Sequence, residues 1–249
     1  MQKRKKMIGG WRASGRLIIG LVCAVGLLPL AAHAQNAAYN QTALVALCQI
    51  SAAGTSGRFD TAEQLFSEGK DAGLSELQMY EAVLNLLPYI GYPRTLSTLI
   101  RSQQVYPDYI SQRSQGQSPQ PTEPWPEYAP TIWGERGMQI QEQLTGGSEE
   151  NKKLIQQLSQ LSPELAEWVR YDDFGRVFGR AGLLLIEREA IVLGALIAQG
   201  APQIAFHYKA LLRVGGDDSL ADALLEAVSS IVDEKALASA RHHIAEARK

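Results

Sequence analysis

Glu189 and His207 sit on two amphipathic stretches that meet at a Gly200–Ala201–Pro202 corner, within IEREAIVLGALIAQGAPQIAFHYKALLRVGG (186–216). A carboxylate and an imidazole brought together can move a proton to or from a reacting atom. Spacing sets a condition on that reading. Counted from the Gly200–Ala201 corner, Glu189 lies about 11 residues back and His207 about 6 forward, so in an antiparallel helical hairpin they stand about 7 Å out of level. A water, a steep crossing angle or a substrate has to close the gap. The structural alternative has His207, between Phe206 and Tyr208, hydrogen-bonding at a helix interface. Glu189, in the first turn after Ile186, would then answer the helix dipole.

Other residues add little chemistry of their own. His242 and His243 read as a solvated tail, and no other His, Cys or carboxylate cluster has metal-ligand spacing. GRVFGRAG (175–182) holds glycines without a phosphate-loop pattern, and nothing suggests a dinucleotide. The expectation is therefore a protein without metal or cofactor.

The elements that would position these residues are helical, because apolar residues recur at helical spacing and strict alternation is almost absent. The pattern predicts helices over roughly 40–53, 60–72, 75–87 and 94–104, then over roughly 132–144, 149–160, 162–173, 186–199, 202–214, 217–230 and 233–247. Between the two groups, residues 105–131 carry five prolines within 119–130, which disfavour a helix or strand interior there, and the segment reads as an extended linker.

The first residues, MQKRKKMIGGWRASGRLIIGLVCAVGLLPLAAHAQ, place basic residues before an apolar run and end it in Ala32-His33-Ala34. This is the pattern of a secretory signal peptide over 1–34, which leads to a periplasmic or secreted location. Without that segment the chain keeps 18 Lys and Arg against 26 Asp and Glu, a net charge near −8. No dense basic stripe survives to bind nucleic acid or an anionic membrane. Cys23 leaves with the signal and Cys48 remains alone, which excludes an intramolecular disulfide and a dithiol redox site.

The two helical groups resemble each other. NQTALVALCQISAAG (40–54) lies on IEREAIVLGALIAQG (186–200) with a shift of 146, and LFSEGKDAGLSELQMYEAVL (65–84) lies on HYKALLRVGGDDSLADALLE (207–226) with a shift of 142. Apolar positions and the helix-ending Gly73 and Gly215 coincide. Two related modules, 36–104 and 132–249, would stack their helix pairs on a shared core.

Here the residues resemble a known family. GLSELQMYEAVLNLLPYIGYP (73–93) is similar to the Gly-φ-Thr/Ser…Glu-Ala…Tyr-x-Gly-x-Pro stretch of the carboxymuconolactone decarboxylase family. The 186–216 segment resembles that family's Arg-Glu…Gly…His…Gly hairpin, one residue short in the corner. RGMQIQEQLTGG (136–147) and FGRVFGRAGL (174–183) resemble its opening helix and its Gly-x-Val-Trp-x-Arg-x-Gly-Leu segment, with Phe178 in place of the usual Trp. The resemblance implies an all-α fold of the carboxymuconolactone decarboxylase/alkylhydroperoxidase D-like kind, here with two modules in one chain. It also implies homo-oligomers, commonly trimers or hexamers, and decarboxylation of a muconolactone-type acid. Glu189 and His207 take the family's acid–base positions. Arg180 could hold a substrate carboxylate, or could cap a turn or pair with Asp172 or Asp173.

A sister branch reduces peroxides with Cys-x-x-Cys-x-x-x-His. Counting back from His207 finds Gly200 and Gln203 at the two thiol positions, so that chemistry has no nucleophile here. Transfer between modules is also informative. Glu189 aligns with Ala43 and His207 with Leu65, while YIGYP (89–93) aligns with IVDEK (231–235). Each module has lost what the other keeps. Either one copy has decayed into a structural cap, with Gly91 and Pro93 merely shaping the entry to a fourth helix, or Tyr89 joins Glu189 and His207 in one composite site. The leading expectation is a cofactor-independent enzyme acting on a small carboxylated or lactone-like compound. Its rival is a non-catalytic helical oligomer that binds a small molecule or a partner protein.

Overall fold

The computed structural model describes residues 39–107 and 130–249, and every regular element among them is helical. The signal segment and most of the Pro-rich linker lie outside the described residues. Four helices come first: α1 (Gln41–Thr55), α2 (Phe59–Asp71), α3 (Glu76–Asn85) and α4 (Leu87–Val105). After the linker come α5 (Pro130–Thr145), α6 (Ser148–Leu161) and α7 (Pro163–Trp168), which runs directly into a π-helical segment, Val169–Phe178. The last four helices are α8 (Leu185–Gln199), α9 (Ile204–Arg213), α10 (Asp218–Ala227) and α11 (Glu234–Ala247). None is long and apolar enough to cross a membrane.

Helix starts follow local capping chemistry. Asn40, Ser75, Asp217 and Asp233 each accept a backbone N–H from the first turn of α1, α3, α10 and α11. Ser75 and Gln78 close a reciprocal capping box. α4 is interrupted where the sequence announced a bend: Gly91 takes φ 69° and ψ 171°, a conformation that favours glycine, and Pro93 follows it. The turn Leu87–Ile90, which carries Tyr89, is thereby set off from the long arm of the helix.

The predicted helix over 162–173 is corrected. It continues to Phe178 and changes from α to π winding at Val169. Glycines make this possible by letting α5 approach closely. A methyl group on Gly175 would run into the Trp133 carbonyl oxygen, and one on Gly137 would run into that of Arg170.

The core is organised around α1 and α8. Every residue of α8 from Ile186 to Ile197 is buried, and from Ala190 onward the buried stretch is entirely apolar or glycine. α1 packs along it. The tightest point is at Gly194, where a side chain would strike the backbone carbonyl of Cys48, and next to it Ser51 Oγ donates to the Ile191 carbonyl at 2.6 Å. Leu47, Ile50, Phe66, Met79, Ile191, Leu211 and Leu224 fill the surrounding layer. The sequence offset of 142 recurs in the helices: α3 and α10 are each 10 residues long and start at 76 and 218. Gly73 and Gly215, before those helices, both have positive φ.

Candidate acid–base site

Three consecutive charged residues on the buried helix α8 need partners, because an unpaired charge in a protein interior is costly. Successive helical residues point about 100° apart, so Glu187, Arg188 and Glu189 face three different neighbours.

Glu187 is the residue that serves the start of the helix. Its Oε2 accepts the Leu184 N–H at 2.7 Å, and its Oε1 accepts from Gln78 of α3 at 2.7 Å. The first-turn role foreseen for Glu189 belongs to Glu187, two residues earlier. Arg188 is wholly buried. It donates from Nη1 to Asn85 Oδ1 at 2.9 Å and from Nη2 to the Arg180 carbonyl at 2.6 Å. Burial lowers its pKa to about 10, against the opposing pull of Glu81.

Glu189 faces His207. Its Oε2 lies 2.9 Å from the imidazole Nδ1, with Glu189 fully buried and His207 6 % exposed. The pair touches directly, so neither water nor substrate is needed to close the offset. A carboxylate on Nδ1 fixes the tautomer that leaves Nε2 as the free lone pair when the ring is neutral. Nε2 has no hydrogen-bond partner among the described residues. Glu189 Oε1 is buried and also unpartnered. The imidazole is held edge-on between two aromatic rings, Phe206 with centroids 5.0 Å apart and Tyr89 at 6.0 Å.

Tyr89 therefore reaches the pair from the other half of the chain. Its hydroxyl donates to Asp173 of the π-helical segment, 3.1 Å from Oδ2 and 3.3 Å from Oδ1. Burial, then the nearby Asp173 and Glu189 charges, hold the phenol well above its usual pKa, so it stays a hydrogen-bond donor. Asp173 is half-buried. Burial pushes its carboxyl up to about 7, Glu189 and Asp172 push the same way, and His207 and the Tyr89 hydroxyl pull it down. A carboxyl group poised near neutrality beside a histidine is the kind of pair that acid–base catalysis uses.

Asp173 was weighed in the sequence only as a partner for Arg180. That partnership does not form. Arg180 donates from Nε and Nη2 to the two oxygens of Glu81 at 2.7 and 2.8 Å, a bidentate pair in which Glu81 is fully buried. Asp172 instead takes Arg176 at 2.9 Å. Arg180 is thus tied to α3 through Glu81. Glu81 and Asn85, one helical turn apart, bind Arg180 and Arg188 and join α3 to α8. His242 and His243 lie ring to ring on α11, and no metal-holding cluster is present among the described residues.

Comparison with protein-family models and with curated proteins finds no match to this chain.

Proposed function

We propose that this chain is a two-module, carboxymuconolactone decarboxylase-like enzyme that works without a cofactor. It moves protons on a small carboxylated or lactone-like compound, in the periplasm or outside the cell, as a homo-oligomer. The observation that carries this reading is the buried Glu189–His207 contact at 2.9 Å with the second imidazole nitrogen left unbonded. Glu189 would hold the ring and balance the imidazolium, and His207 would be the base. Tyr89, from the first module, supports the composite site by touching His207 and Asp173 together.

The two-module part rests on the recurring offset of 142 and on the α1–α8 crossing, where Cys48 meets Gly194. Those two residues are equivalents in the sequence repeat, and equivalents meet each other on the axis of a two-fold pairing. Arg180 would have to leave Glu81 to grip a substrate carboxylate, so the uncharged end of the proposed substrate range, lactones and esters, fits best. Thiol peroxidase chemistry has no support. Cys48 is buried, and burial pushes its thiol up to about 12.

One observation bears on the self-association that this reading shares with its rival, a non-catalytic oligomer. Tyr92, Leu96 and Ile100 on α4 are 65, 55 and 58 % exposed and stand one turn apart on one face. Such an apolar stripe suits a contact between copies of this chain, and it fits a catalytic oligomer equally. The deciding experiment incubates the protein with a panel of small lactones and carboxylic acids and follows both compound and His207 imidazole signals by NMR. An enzyme converts at least one member and loses the activity at least 100-fold in His207→Gln. Ligand-induced shifts of His207 without conversion select the binding protein.

A further inference from the structure

The His207–Glu189 pair accounts for removal of a proton, yet a fourth group, Asp173, is built into the same cluster and has no part in that step. Resting on the acid–base reading above, we infer that Asp173 is a second catalytic residue. It gives a proton to the carbonyl oxygen of an enolisable lactone, ester or ketone while His207 serves the adjacent carbon.

Three features of the geometry point there. Tyr89 links Asp173 to the imidazole: its ring packs T-shaped against His207 with centroids 6.0 Å apart, and its hydroxyl donates to Asp173. The Asp173 carboxyl accepts only from Tyr89 among the hydrogen bonds recorded for it, so it has capacity left for a ligand, and it keeps partial contact with solvent where a ligand could arrive. Its neighbour Asp172 points the other way, to Arg176. The π winding of Val169–Phe178, seated on α5 through Gly175, holds this placement, and π-helical turns are frequent at functional sites.

The step balances without any co-reactant. The α C–H bond breaks and its proton goes to Nε2 of His207. The electron pair becomes the C=C bond of an enol as the carbonyl oxygen takes the Asp173 proton. Imidazolium and carboxylate are left facing each other across Tyr89. Return of the proton from His207 to carbon, as the enol oxygen gives its proton back to Asp173, restores both groups. When the carbon reprotonated is not the one first deprotonated, the product is an isomer. The groups that face Asp173 are Tyr89 from α4, His207 from α9, Glu189 from α8 and Asp172 on its own segment. Its raised pKa leaves it protonated enough near neutrality to donate.

The test is exchange and isomerisation of α-angelica lactone in D2O, followed by NMR from pH 5 to 9, with wild type, His207→Gln, Asp173→Asn and Tyr89→Phe. The expected result is a bell-shaped wild-type profile. Asp173→Asn should lose about 100-fold or more and lose the alkaline limb. Tyr89→Phe should keep that limb but move it to higher pH, because the phenol stabilises the Asp173 carboxylate. Full activity and an unchanged alkaline limb in Asp173→Asn, with His207→Gln inactive, would overturn the role of Asp173 and leave the acid–base reading standing. A wild type that leaves the lactone unexchanged at every pH overturns both. Matching melting curves for wild type and Tyr89→Phe keep the comparison free of folding defects.

Discussion

Glu189 is bound to His207 through one carboxylate oxygen and through nothing else: Oε2 lies 2.9 Å from Nδ1, and Oε1 has no partner. The imidazole therefore makes the one hydrogen bond of a fully buried acid. Truncating His207 to Ala should destabilise the fold by about 2–4 kcal/mol, because it strands a buried carboxylate. Glu189→Gln should cost less, since a neutral amide can still accept from Nδ1. Urea unfolding of both single variants and the double variant gives the coupling. A coupling near zero would mean that the contact is incidental.

Asp173 makes stability depend on pH in a defined direction. Its folded pKa, about 7, lies above the ordinary aspartate value of 3.8, so its contribution is fully present in acid and is lost as pH rises through about 7. Asp173→Asn removes that loss while keeping an oxygen for the Tyr89 hydroxyl. The variant should gain about 1–2 kcal/mol over wild type between pH 5 and pH 8, allowing for the partial solvent contact of the group. Paired chemical denaturation at the two pH values measures it, and equal differences at both would contradict a raised carboxyl.

Arg180 and Glu81 form the bidentate clasp between the 179–184 loop and α3. Arg180→Ala removes both hydrogen bonds that Arg180 gives to the buried Glu81 and should cost about 3–5 kcal/mol. Arg180→Lys should recover only part of this, because a lysine cannot offer the two-pronged geometry. If both variants unfold like wild type, the clasp is not structural, and the substrate role for Arg180 regains weight.

Gly175 is needed for close approach of the π-helical segment to α5, where a methyl would meet the Trp133 carbonyl. Gly175→Ala should cost about 1–3 kcal/mol and shift Asp173 against Tyr89. A changed tyrosine hydroxyl signal in NMR, with the Glu189–His207 contact intact, is the expected signature. An unchanged Tyr89 signal would separate the winding of this segment from the placement of Asp173.

Leu96 stands in the middle of the exposed stripe on α4. Leu96→Glu should lower the molecular mass measured by light scattering at micromolar protein while leaving the helical circular dichroism unchanged. An identical mass in wild type and variant would remove the stripe from any subunit contact.

The helices were legible in the sequence because apolar residues recur at helical spacing, and several begin at a capping side chain such as Asn40, Ser75, Asp217 or Asp233. Glu189 and His207 were found by residue type, and Tyr89 by asking what each half of the chain lacked. The offset of about 7 Å expected between Glu189 and His207 is closed by direct side-chain contact at 2.9 Å, which residue counting alone does not show. Asp173 was missed for a different reason. Hydrophobic periodicity assumes 3.6 residues per turn, and π winding from Val169 turns the following residues onto other faces. The Arg180–Glu81 pair had no local signal in the sequence, because the two residues are 99 positions apart. Glu187, Arg188 and Glu189 are adjacent in the sequence, and only the fold shows which charge meets which neighbour.

The kink at Gly91 isolates Tyr89 on its own short turn, in the first half of a cluster whose other three members come from the second. In the order of synthesis the phenol is made early, and the imidazole is among the last parts of the cluster to emerge. A half-made chain thus carries a lone tyrosine without an acid or base to serve. Tyr89, Asp173, Glu189 and His207 come together through the same packing of α8 against α1, α3 and α4 that closes the core.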